Sequence, residues 1–267
     1  MFNSPCSILN TQRKKTISAM IVSTIPHVLN KLDEIILWCE NAGSRQGYFA
    51  ALYRRMTLAV LEEMLQNGFA DNTRMEKLDV IFASRYIDAW SAYQNKQSIS
   101  KGWQAAFSSC ENSGLTVIQH LILGVNTHIN LDLSIAAADT CVGTNILDLQ
   151  SDYEKINNIM ASLVNETQEK LTKVWWPLTV ISKITNDRDD AVINFSIVAA
   201  RKAAWANAVA LTHADNNART NYINGIDNTV TTIANRIINP GYFINAQLKM
   251  IRKCEYSDVK RVIQLIK

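Results

Sequence analysis

The sequence is short of the residues that break regular structure, with nine glycines and four prolines in 267 residues. Folds rich in hairpins need many such residues, and no stretch alternates apolar and polar between turn signals, so a β fold is not expected. Its five cysteines, Cys6, Cys39, Cys110, Cys141 and Cys254, are scattered and form no CxxC pair. An odd, unclustered set argues against a disulfide framework or a cysteine zinc site, and reads as buried free thiols. No run nears the ~18 uninterrupted apolar residues of a membrane span, so no transmembrane segment is expected. The net charge is +3, and the one basic block is Arg13-Lys14-Lys15. That leaves no electrostatic case for a nucleic-acid or anionic-membrane partner. The moderately apolar run Thr16–Leu29 contains Pro26 and His27, and no small-x-small site follows, so it reads as the first helix or an extended lead-in, and the protein as cytoplasmic. Glycine-rich phosphate loops and a GxSxG elbow are absent, which makes nicotinamide, ATP and serine-hydrolase chemistry poor candidates.

What the chain does have is helical period. Residues 1–15 read as frayed, and 16–267 as a single all-α domain of about eight to ten helices. Ile17–Cys39 is periodic, with an interruption expected at Pro26. Gln46–Gln66 keeps an i, i+3, i+4 rhythm and stops at Asn67-Gly68. Asp71-Asn72-Thr73 offers caps for Arg74–Tyr93, and Ser98 or Ser100 for the short helix carrying Trp103 and Phe107. Ser151 and Glu154 fit a capping box opening a helix to about Trp175. An acidic break at Asn186–Asp190 precedes the alanine-rich Ala191–Thr212. Asn216–Ile238 and two short helices close the chain. Trp90, Trp103, Trp175, Trp176 and Trp205 sit at helical spacing and are expected in the core.

The bundle is organised around one stretch, Gln119–Asp139, read as part of a buried helix over about 115–140. At 100° per residue, His120, Gly124, His128, Asp132 and Asp139 share about a third of the circumference. Gln119, Asn126 and Asn130 form a second strip, and Leu, Ile and Val fill the rest. A helix apolar nearly all round is buried, so its imidazoles, amides and carboxylates must be answered by neighbours.

GYFAALYRRMT (Gly47–Thr57), RMEKLDVIFASRYIDAW (Arg74–Trp90), QHLILGVNTHINLDLSIAAA (Gln119–Ala138) and FSIVAARKAAWANA (Phe195–Ala208) together resemble the bacterial family called domain of unknown function 5995. The resemblance spans Gly47 to about Gly241, with HINLDL its most distinctive piece. It implies an all-helical fold and no activity, substrate or cofactor.

The candidate catalytic residues are His128, Asp132 and His120. His128 and Asp132, at i and i+4, are placed to share a proton or an ion. His120 lies eight residues from His128, about 12 Å along a straight helix, too far for both rings to hold one zinc easily. A metal-dependent hydrolase using His128 and Asp132 needs further ligands that no HExxH or ExxH pattern supplies. The candidate binding residues are Asn126 and Asn130, whose paired amides suit an uncharged polar ligand, with Tyr53, Arg54, Asp79, Arg85 and Arg201. An arginine on an apolar face pairs a buried Asp or awaits an anion, and Asp79 and Asp132 are the natural partners. Gly124 would let a neighbouring helix or ligand approach the backbone. The leading expectation is a small-molecule-binding or enzymatic pocket on the central helix, with His128 as acid–base group and Asp132 orienting it. The alternatives are a non-catalytic scaffold whose polar core fixes helix register, and a carrier of apolar ligands.

Overall fold

A computed structural model describes residues 23–160 and 196–267. The expectations for the frayed start, Trp175, Trp176 and the break at Asn186–Asp190 lie outside these. Among the described residues there is no strand, and ten α-helices lie wholly within them. They are α1 (Ile25–Ala42), α2 (Gln46–Leu65), α3 (Asn72–Gln94), α4 (Lys101–Ser109), α5 (Val117–Thr127), α6 (Ser134–Thr140), α7 (Ile197–His213), α8 (Asn216–Ile238), α9 (Tyr242–Cys254) and α10 (Val259–Ile266). Residues 150–160 are helical as well.

The caps are mostly short polar side chains at the helix starts. Asp71 accepts from the Arg74 amide and Ser100 from the Trp103 amide. The part of Ile17–Cys39 ahead of Ser23 lies outside the described residues, and Pro26 lies next to the start of the described helix. It stands in the first turn of α1, behind a Thr24 cap, where its missing N–H is no loss. Ser151 is not a cap. A 3-10 turn over Ile146–Leu149, capped by Asn145, leads straight into helical backbone at 150. The capping box is at Thr116 and Gln119, and it opens the central helix.

That central element is α5 and α6 joined by six π-helical residues, His128–Leu133, into one rod over Val117–Thr140. It is 24 residues long, and its most apolar 18-residue window, at mean hydropathy 1.3, is apolar enough to cross a membrane, yet 89% of that window is buried inside the protein. Helices α2, α4 and α8 pack along its first half, and α3 and α7 along its second. Packing against α2 depends on Gly124, as the sequence suggested. A Cβ built there would lie 2.5 Å from Phe49 Cγ and Cδ2. The Phe49 ring packs against Tyr53, Tyr86, Trp103 and His128, so making room would disturb that cluster. Gly124→Ala is therefore expected to lose about 1–3 kcal/mol to overpacking, outweighing the ~1 kcal/mol that alanine gains in helix propensity. Urea denaturation would read this as a lower midpoint at unchanged m-value.

Three buried carboxylates close helix starts from far away in sequence. Asp227 accepts from the Lys101 and Gly102 amides of α4, and Asp152 from the Ala70 and Asp71 amides ahead of α3. Glu255 takes the Val117 amide at the head of the rod on both oxygens, at 3.0 and 3.2 Å. Each sets a negative group at the positive end of a helix.

Candidate functional site

The π turn coincides with HINLDL, the most distinctive motif of the sequence. A π turn shifts the hydrogen-bond register and disturbs the carbonyl ladder, and such turns are frequent at functional sites. Side chains supplement the ladder here. Asn130 Nδ2 donates to the Asn126 carbonyl at 3.1 Å, and Ser134 Oγ to the Asn130 carbonyl at 2.8 Å.

His128 lies at the head of that turn and is 3% exposed. Its ring stacks on Phe82, with centroids 3.6 Å apart and planes 10° from parallel, and meets the Tyr53 ring edge-on at 4.4 Å. Nδ1 lies 3.1 Å from Asp132 Oδ2. The same oxygen accepts from Trp103 Nε1 at 2.8 Å, and Asp132 Oδ1 accepts from Arg85 Nε at 3.0 Å. A carboxylate bound by three donors assigns the imidazole proton to Nδ1 and leaves a lone pair on Nε2. Nε2 is buried and has no partner among the described residues. Burial holds the His128 pKa below the ordinary histidine range, Asp132 pulls it up and Arg85 pushes it down. The ring is thus a neutral, oriented base.

Beside it lies a cavity of about 100 Å³. Its walls come from α2, α3, the rod, residues 156 and 160, and α7, and are overwhelmingly apolar. Four residues interrupt the lining with buried polar atoms that lack a partner: His128 Nε2, Tyr53 Oη, Thr57 Oγ1 and Asp79 Oδ2. Tyr53 and Thr57 are one helical turn apart and close enough to influence each other, yet they fall outside hydrogen-bond geometry. Asp79 is 8% exposed. Burial, reinforced by the negative charge of Glu76, pushes its pKa up to about 7.

The arginines divide differently from the expected scheme. Arg85 pairs Asp132 as anticipated, but Asp79 pairs none of them. Arg54 forms a two-point pair with Asp33, at 2.7 and 2.9 Å. Arg201, 3% exposed, donates to Asn157 Oδ1 and the Tyr153 carbonyl and lies over the Tyr153 ring. It also lines the cavity, with Tyr53, Asp79 and His128; Arg54 and Arg85 do not.

His120 is held away from His128. It packs against Tyr48, both ring nitrogens are buried without partners, and burial pushes its pKa down to about 3. Asn126 Nδ2 donates to the Val230 carbonyl of α8, and Asn130 Nδ2 also reaches Asn126 Oδ1. The amide pair therefore ties the rod to α8 and does not reach the cavity. Among the described residues no three His, Cys, Asp or Glu side chains converge as a metal site. The oxygens of Asp132 are already taken by Arg85, Trp103 and His128, so the pair His128–Asp132 does not fit a metal centre. Sequence reasoning missed Trp103 as a partner of Asp132, and Thr57, Met75 and Leu78 as cavity walls. Only helical spacing on α2 and α3 hinted at the last three.

Fold and site together define a class, an all-α protein wrapped around a buried, largely apolar rod that carries a few polar side chains, with an apolar cavity at its π turn. The chain belongs to the family described as "Family of unknown function (DUF5995)", whose model matches residues 25–240. The match begins at α1, ahead of the Gly47 expected from the resemblance, and ends before α9. No curated protein and no solved structure matches the chain.

Proposed function

We propose that the protein binds a small, mainly apolar molecule in the cavity beside the π turn, with His128 Nε2 accepting a hydrogen bond or a proton from it. The observation that supports this reading is a coincidence of position. Four buried polar atoms without partners belong to residues lining one apolar cavity. Unsatisfied buried groups each cost about 1–3 kcal/mol, and several of them on residues that share one cavity wall suit a ligand that answers them. Size suits a small guest: an apolar cavity of roughly 150 Å³ takes up benzene, so about 100 Å³ accommodates a chain of roughly four carbons.

The test is ligand-observed NMR with 1-butanol. The wild-type protein should bind it, and Val60→Phe, which fills the cavity from α2, should not. His128→Phe keeps a ring stacked on Phe82 but removes Nε2, and should weaken binding roughly tenfold, the worth of one buried hydrogen bond. No binding by the wild type, or equal binding by the cavity-filled variant, would reject the reading. Unchanged affinity in His128→Phe would leave the imidazole a purely structural member of the core.

A further inference from the structure

We propose that the ligand's polar group is an ammonium held by Asp79, so that the cavity takes a small aliphatic amine; this rests on the cavity being a ligand site, as proposed above. Asp79 is 8% exposed and lines the cavity from α3, and its Oδ2 meets no donor among the described residues. An ionised carboxylate in apolar surroundings is costly until a cation or a set of hydrogen bonds arrives. The described residues provide neither, although arginines and lysines among them, eight at least, stand in ion pairs with other carboxylates.

The rest of the wall suits a positive guest. Phe49, Tyr53 and Phe82 line the same cavity, and aromatic faces attract an ammonium, more strongly when it is desolvated. The titratable and charged groups about Asp79 are Glu76 on its own helix, Tyr53 on α2, His128 on the rod and Arg201 on α7. Glu76 is negative and is the charge that acts on Asp79. Tyr53 stays a phenol, because burial and Asp79 both push its pKa up. His128 is neutral. Arg201, the cation on the cavity wall, is engaged by Asn157 Oδ1 and the Tyr153 carbonyl. A ligand carboxylate would place a second anion beside Asp79 and Glu76. A neutral alcohol would donate one bond and leave the charge unanswered.

Holding an ammonium requires Asp79 ionised, so uptake of the amine displaces a proton. Amine affinity should therefore rise with pH up to about 7 and then level off, while that of an alcohol stays flat.

The experiment titrates the protein with n-butylammonium chloride, 1-butanol and sodium butanoate by calorimetry, at about pH 5.5 and about pH 8. The expected result at the higher pH is n-butylammonium bound roughly tenfold or more tighter than 1-butanol, with butanoate weakest, and a preference that shrinks at the lower pH. Asp79→Asn, checked for folding by circular dichroism, should bind the ammonium no better than the alcohol. Equal binding of alcohol and ammonium, preference for butanoate, or an ammonium preference surviving in Asp79→Asn would overturn the inference while leaving the cavity a binding site. Binding of none of the three would overturn both.

Discussion

Asp132→Ala is expected to cost about 3–5 kcal/mol, the size found when one partner of a buried charged network is removed. Asp132 is 1% exposed, and its two oxygens serve Arg85, Trp103 and His128 together. Truncation leaves the Trp103 indole N–H and His128 Nδ1 without an acceptor inside the core. Arg85 can turn partly to water, since its side chain is 33% exposed, so the cost lies mainly with the other two. For a chain of this size, with ~2–4 °C per kcal/mol, the melting temperature should fall by about 10 °C. Asp132→Asn keeps one acceptor oxygen and should lose less. A fall below about 1 kcal/mol in Asp132→Ala would mean the network can be rebuilt around water, and that Asp132 does not hold the His128 ring in place.

Asp79→Asn should act in the opposite sense. The carboxyl titrates near 3.8 when unfolded and at about 7 in the folded protein, so between those values the folded state holds more protons. Stability on this account falls as pH rises from about 4 to about 7, and then stays low. Three pKa units correspond to up to about 4 kcal/mol. Asn at this position carries no charge to bury, so the variant should match the wild type near pH 4 and exceed it by a few kcal/mol near pH 8. Glu255, also raised to about 7 by burial, tilts both proteins in the same direction, which makes the difference between them the quantity to measure. The imidazoles run the other way. His120 is held down at about 3 and His128 is lowered, so their contribution is present above about 6.5 and is lost as pH falls. Urea titrations of both proteins from about pH 4 to 8 would show the divergence; parallel curves would mean that Asp79 is solvated when ionised.

Much of this arrangement was legible in the residues. Helical period located the helices, Asp71 and Ser100 were readable as caps, and the apolar circumference of Gln119–Asp139 announced burial. Gly124 pointed to a close approach, and the i, i+4 spacing placed His128 beside Asp132. The π turn was not readable, because it has no residue-type signature and depends on side-chain donors such as Asn130 and on packing from α3, α7 and α8. A 100° wheel drifts through such a turn. The Ser151 capping box was a pattern match without the helix start it requires, whereas Thr116–Gln119 had both. Pairing of arginines with carboxylates was hardest to foresee. Asp152, Asp227 and Glu255 serve backbone amides more than 80 positions away, and Asp152 and Glu255 do so while also pairing Arg74 and Arg252.

The Glu255 clamp bears on the order in which the chain can settle during synthesis. The rod's first amide, Val117 N, is answered by a side chain 138 residues downstream, and Gln119 Nε2 by the carbonyl of Ile237. This long, largely apolar rod thus leaves the ribosome long before the groups that close its head exist. Until α8 and the turn after α9 emerge, that head must wait in water or with a chaperone, and its final docking is a late, long-range event.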